Sequence, residues 1–298
     1  KIMKIYDCFM YFDEEVVLNV RLNTLDPFVD YFVIVESRFT HKGIPRDLKF
    51  DLKKFERFKE KIIYLIYEKE SEKIEIINDN DGVYEKTKKY VFNAICRENG
   101  QRNYIKKGLV GAKDNDIILI SDVDEIPNLS NINFNNVGEK IIVFKQNMFY
   151  YKFNLYLPGL IWAGTKACKK KNLVNSQWLR NIKGRKYSFL RIDTLFSDKK
   201  YINIKIIDNG GWHFTNIKTA KEIEHKLKSY LHHREFEVNP LTVDQINEII
   251  KDKKAIYNLN VDKSVVKFGN GEKLKKFEID SLPVYIQKNL HNLKNWID

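Results

Sequence analysis

Asp116-Ile117-Ile118-Leu119-Ile120-Ser121-Asp122-Val123-Asp124-Glu125-Ile126-Pro127 runs four apolar residues into three carboxylates and closes on a proline. A short continuous apolar run reads as a strand buried on both faces, the kind found in a parallel sheet. Such a strand cannot carry unpaired charge, so Asp122, Val123 and Asp124 belong where it leaves the sheet. Alternation along an extended chain puts Asp122 and Asp124 on one side and Val123 on the other. Two carboxylates side by side repel unless a cation sits between them. Mg²⁺ and Mn²⁺ take oxygen ligands, commonly one or two carboxylates with phosphate oxygens. The segment therefore reads as a metal–diphosphate site at a strand end. The plainer alternative is a solvated acidic turn capping a helix that begins near Pro127.

Working outward, Lys4–Phe9 predicts a first strand, Glu14–Leu25 a helix that Asp26-Pro27 breaks, and Tyr31–Val35 a second buried strand ending at Glu36. Strand, helix and strand in that order form a βαβ unit and imply a parallel sheet. A helix over Phe50–Lys61, a strand over Ile62–Ile66 and a long helix over Tyr84–Lys107 follow, the last carrying Arg97, Gln101 and Arg102. Lys140–Lys145, Trp162–Ala167 and Ile202–Ile207 read as further strands. Helical spacing returns at Ala220, Ile223, Leu227 and Leu231, and again over Asp244–Lys253.

Strands that end at Glu36, Asp122 and Asp124 share one rim of an open sheet, where ligands of such folds bind. Neither GxGxxG nor a P-loop is present, so a bound diphosphate would depend on metal and side-chain cations. No Gly-x-Ser-x-Gly elbow suggests a serine hydrolase. His213 follows Gly210-Gly211 and lies between Trp212 and Phe214. It reads either as a packed core histidine or as a nitrogen ligand to Mn²⁺, with the glycines allowing close backbone approach. Arg97 and Arg102 read as surface charge or as a phosphate clamp. The ring cluster Phe149–Tyr156, with Trp162, reads as core or as a wall on which a sugar stacks.

The chain has 298 residues, 43% hydrophobic and 31% charged, with a net charge of +12. The lysines are spread along the whole chain, which argues for a solvated surface rather than a nucleic-acid footprint. Cys8, Cys96 and Cys168 lie far apart and form no zinc or disulfide pattern, so free thiols in a reducing cytoplasm are expected. No apolar run has the length of a membrane span. The chain starts at Lys1 rather than Met, which leaves room for an upstream anchor.

Tyr6-Asp7-Cys8-Phe9, Arg21-Leu22-Asn23, Val29–Glu36 and Thr40–Pro45 resemble the ordered motifs of glycosyltransferase family 17. So do Arg97, Glu98 and Gln101-Arg102-Asn103, then Ile120–Pro127, Gly164–Ala167, Gly210–Phe214 and Lys226–Tyr230. The resemblance implies an α/β, GT-A-like nucleotide-sugar fold. Its central sheet would be mostly parallel and flanked by helices, with a catalytic domain over residues 1–220 and a C-terminal helical extension over 221–298. It also implies inverting transfer of a sugar, GlcNAc foremost, from a UDP-sugar to a glycan or glycoconjugate hydroxyl. Asp122, Asp124 and His213 would hold Mn²⁺ or Mg²⁺. Phe9, Asp13, Glu36, Arg97, Arg102 and Asp122 would bind the donor, and Tyr151, Trp162 and Trp212 the acceptor. Glu125, Glu36 and Asp193 are the candidate bases. The rival classes are a metal-dependent phosphohydrolase or nucleotidyltransferase and a non-catalytic carbohydrate-binding module.

Overall fold

The computed structural model describes residues 3–188, 191–194, 196–230, 233–258, 268–269 and 271–298. Leu231 of the expected helical spacing lies outside them. The elements run β1 (Ile5–Tyr11), α1 (Glu15–Leu25), β2 (Tyr31–Ser37), β3 (Ile62–Tyr67), α2 (Val83–Tyr104), β4 (Ile117–Asp122) and β5 (Glu125–Pro127). They continue as β6 (Ile141–Tyr150), β7 (Leu155–Lys169), α3 (Ser176–Asn181), β8 (Ile204–Ile207), β9 (Gly211–Thr215) and α4 (Ala220–Ser229). The chain ends with α5 (His233–Val238), α6 (Val243–Lys251), β10 (Lys275–Lys276) and α7 (Val284–Lys288).

One ten-stranded sheet runs in the order β3-β2-β1-β4-β7-β6-β9-β5, with β8 on β6 and β10 on β7. β3, β2, β1 and β4 are mutually parallel, as the buried apolar runs predict. β7 then pairs antiparallel with both β4 and β6. The sheet is therefore mixed: β6 also pairs parallel with β8 and β9, so parallel pairings only narrowly outnumber antiparallel ones. Its second half is built from the long β6–β7 pair, joined by a short loop that can only connect antiparallel neighbours.

Alternation divides the core between the two faces. From β1, Phe9 and Tyr11 pack toward α1 with Val17, Leu18 and Leu22, while Tyr6 and Cys8 face Ile105, Leu109 and Leu179. A third cluster joins α4 and α6 to the ends of β6 and β7 through Ile223, Leu227, Ile246, Met148 and Tyr150. The residues after 220 thus add a strand to the sheet through β10 as well as helices. Two sequence expectations change. Leu52–Phe58 is 3₁₀ helix with Phe55 out of helical geometry, not an α-helix. Pro127 ends a short strand instead of starting a helix, because β9 offers β5 a hydrogen-bonding edge. Cys8, Cys96 and Cys168 are free. Among the described residues no helix is long and apolar enough to cross a membrane.

Candidate active site

β1, β2 and β4 all point their C-terminal ends at one cavity of about 420 Å³, lined by Phe12, Ser37 and Asp122 among others. The acidic segment reaches it through a turn and not through strand alternation. β4 stops at Asp122, and Val123 lines the cavity beside both aspartates. Arg21 of α1 fixes that turn from below. Its guanidinium is fully buried and gives two hydrogen bonds to Asp7, at 2.8 and 2.6 Å. It also donates to the backbone carbonyls of Asp122, Val123 and Glu125 at 2.8–3.1 Å. A buried cation so placed holds an otherwise irregular stretch of backbone in one shape.

The turn brings Asp124 beside β9. The Phe214 amide donates to the Asp124 carbonyl at 2.8 Å, and Glu125 stands opposite His213 in the strand register. Asp124 Oδ1 is then 3.5 Å from His213 Nε2, and its Oδ2 is 3.9 Å from Lys226 Nζ of α4. Burial alone would raise the Asp124 carboxyl, but His213 and Lys226 outweigh it and hold it low. Burial would likewise lower the His213 imidazole, and Asp124 beside it raises it instead. His213 Nδ1 is buried without a hydrogen-bond partner. The two glycines before His213 do not open the backbone to a ligand. Gly211 has φ +131°, and a Cβ there would strike the Ile126 carbonyl oxygen and the Asn128 amide of the neighbouring strand. They are needed for close strand packing.

Asp122 has different company. Its Oδ1 accepts from Arg102 and its Oδ2 from Arg180 of α3, each at 2.8 Å. Burial opposes its ionisation, yet Arg180 and Arg102 hold its carboxyl far below the usual range. Arg102 also pairs with Glu98 at 3.0 Å, and Arg180 with Glu125 Oε1 at 2.6 Å. Glu125 Oε1 in turn accepts from the Trp162 indole at 2.6 Å, and the Trp162 ring lies 5.5 Å from His213. A continuous chain of charges thus links α2, the acidic turn, α3 and β7. Among the described residues no set of three His, Cys, Asp or Glu side chains is gathered closely enough to hold a metal without other donors.

The structure brings Arg102, Asp122, Asp124, Trp162 and His213 together on the cavity. The other expected site residues lie off it. Phe9 is buried in the core with the Arg21 guanidinium 4.5 Å above its ring. Its neighbours Met10, Tyr11 and Phe12 reach the cavity instead. Asp13 pairs with Lys218 at 2.5 Å, leaving Glu14 on the lining. Glu36 is fully buried and accepts from the Lys49 and Phe50 amides, the Tyr64 hydroxyl and Arg46, so it anchors a loop. Arg97 turns to Glu70 at 2.6 Å and to the His41 carbonyl. Glu125 is fully buried among its partners. Asp193 is exposed and pairs with Arg191 and Lys200.

On the acceptor side, Tyr151 is buried and bonds the Lys254 carbonyl, whereas Tyr150 lines the cavity. Trp212 is in the core, and its indole donates to the Ser281 carbonyl at 3.0 Å. Arg180 was not visible beforehand. It stands in a six-residue helix with no motif around it, and only its contacts give it a role.

No curated protein matches the chain. The sequence model of glycosyltransferase family 17, however, matches residues 1–295. With that match over essentially its whole length, and an acidic turn opening on a cavity at the ends of its parallel strands, this chain belongs to glycosyltransferase family 17.

Proposed function

We propose that this glycosyltransferase moves a sugar, GlcNAc foremost, from a UDP-sugar to a glycan or glycoconjugate hydroxyl, with inversion at the transferred carbon and with Mn²⁺ or Mg²⁺. The observation that carries the reading is the Asp124–His213 pair facing a cavity at the sheet rim. The donor set fits such an ion: the Asp124 carboxylate and the His213 imidazole face each other on the cavity, with Oδ1 3.5 Å from Nε2. Divalent cations of this kind take one or two protein carboxylates and complete their shell with phosphate oxygens and water. Asp124 and His213 would hold the ion, with Asp122 beside them on the cavity wall. When bound, it supplies Lewis-acid neutralisation of the departing diphosphate.

The protein's own residues do the rest. Arg102 and Arg180 hold Asp122 ionised and in place at the cavity wall and balance its charge, which leaves Asp124 as the carboxylate that would meet the cation. The aromatic lining, with Trp162 oriented by Glu125, offers a ring face to a sugar. Inversion requires a base near the acceptor hydroxyl. Glu14, Glu98 and Glu235 line the cavity and take over from Glu125, Glu36 and Asp193 as its candidates.

The test is a donor screen. Purified protein is incubated with Mn²⁺ and a panel of UDP-sugars, and UDP release is followed with and without candidate glycans. UDP release with one sugar, raised by an acceptor and abolished by EDTA, is the expected result. Release of inorganic phosphate without sugar transfer would overturn the reading.

A further inference from the structure

Three Lys or Arg side chains among the described residues line the cavity: Arg46, Arg102 and Lys226. A lysine or arginine partner for an anionic ligand in the cavity comes from these three. Arg46 is committed to the Ser37 and Phe12 carbonyls at 2.9 and 2.5 Å and to Glu36 at 3.0 Å, and its guanidinium lies 4.3 Å from the Phe12 ring. Arg102 is committed to Gln177, Glu98 and Asp122. Lys226 is different. No hydrogen bond to its ammonium is formed among the described residues, and the nearest carboxylate oxygen, Asp124 Oδ2, is 3.9 Å away. Its side chain is only 18% exposed. An ammonium has three donors, and a ligand that enters the cavity can meet them on a side chain that no described neighbour holds.

The helix explains the placement. α4 opens with a full capping box between Thr219 and Glu222 and buries Ile223 and Leu227 against the ends of β6 and β7. Lys226 lies three residues after Ile223 and next to Leu227, so the packing that seats α4 also aims its stem at Asp124.

We infer that Lys226 is the diphosphate-binding cation of the donor site, a second positive charge acting beside the ion held by Asp124 and His213. The assignment rests on the functional reading above and names a residue that it leaves open. Before nucleotide binds, the Lys226 ammonium stands where it repels a divalent ion at Asp124. Once a nucleoside diphosphate is bound, the same charge attracts the phosphate oxygens. The two effects have opposite signs, and a residue that merely supports the fold would not produce both.

The experiment is titration calorimetry of Mn²⁺ alone, and of UDP in saturating Mn²⁺, on wild type, Lys226→Met and Lys226→Arg. Circular dichroism melts report whether each variant is folded. Lys226→Met keeps the stem and removes the charge. It should weaken UDP about 10–100-fold, the worth of one or two charge-assisted hydrogen bonds. It should also bind Mn²⁺ more tightly than wild type when UDP is absent. Lys226→Arg should recover most of the UDP affinity. Unchanged UDP affinity in a folded Lys226→Met protein would overturn the assignment while leaving the functional reading intact. So would parallel weakening of Mn²⁺ and UDP. Wild-type protein that takes up neither would overturn the functional reading, and the assignment with it.

Discussion

Lys166 shows how single residues in this site depend on their neighbours. It is 5% exposed, and its ammonium donates to the Arg180 carbonyl. Burial, reinforced by the nearby Arg180 charge, pushes its amine down to about 7 from 10.5. Below pH 7 the folded chain must bury a charged ammonium. Between about 7 and 10.5 the unfolded chain binds a proton that the folded chain does not, so Lys166 makes stability rise with pH across that window. Denaturant unfolding at several pH values in this range should show a steeper rise for wild type than for Lys166→Met. Equal slopes would show that the amine keeps its ordinary affinity for protons. The sequence singles out Asp122, Asp124 and His213 from residue type and setting, and all three line the cavity. It could not show that Asp122 gives both oxygens to arginines, because Arg102 and Arg180 arrive from helices 20 and 58 residues away.

At the scale of elements, α1 is joined to the acidic turn through Arg21, which ties Asp7 of β1 to the backbone between β4 and β5. Removing one partner of a buried pair leaves the other charged and unmet, at a cost of about 3–5 kcal/mol. Arg21→Met should therefore lose stability of that order in urea unfolding. Asp7→Leu combined with Arg21→Met should recover a good part of it. A single variant within 1 kcal/mol of wild type, roughly the worth of an exposed pair, would contradict this role.

The strands of the first half were legible because their apolar runs are continuous and their breaks carry Pro or acidic residues. Faces were less so. Once His213 is on the cavity, the period of β9 sends Trp212 and Phe214 into the core. Likewise Tyr150 reaches the cavity while Tyr151, at φ +62°, turns away. Reading Trp212 and Tyr151 as acceptor rings weighed their chemistry without that parity. On β1, Phe9 stops short of the rim and stays in the core, while Met10 and Tyr11 at the end of the strand, and Phe12 beyond it, reach the cavity.

For the whole molecule, the parallel half of the sheet supplies the rim, and the mixed half with α4 closes the cavity around it. The first half follows from local patterns. The second depends on the β6–β7 pairing and on contacts between residues far apart in sequence, such as β10 on β7, which no local pattern encodes. On the function proposed above, a cation beside Asp124 would let a nucleoside diphosphate bind and depart. The direct measurement is UDP binding by wild type and by Asp124→Ala, each with Mn²⁺ and with EDTA. Wild type should bind UDP far more tightly with Mn²⁺, and Asp124→Ala should lose that difference while its circular dichroism shows it still folded. Equal UDP affinity with and without metal in the wild-type protein would contradict the account.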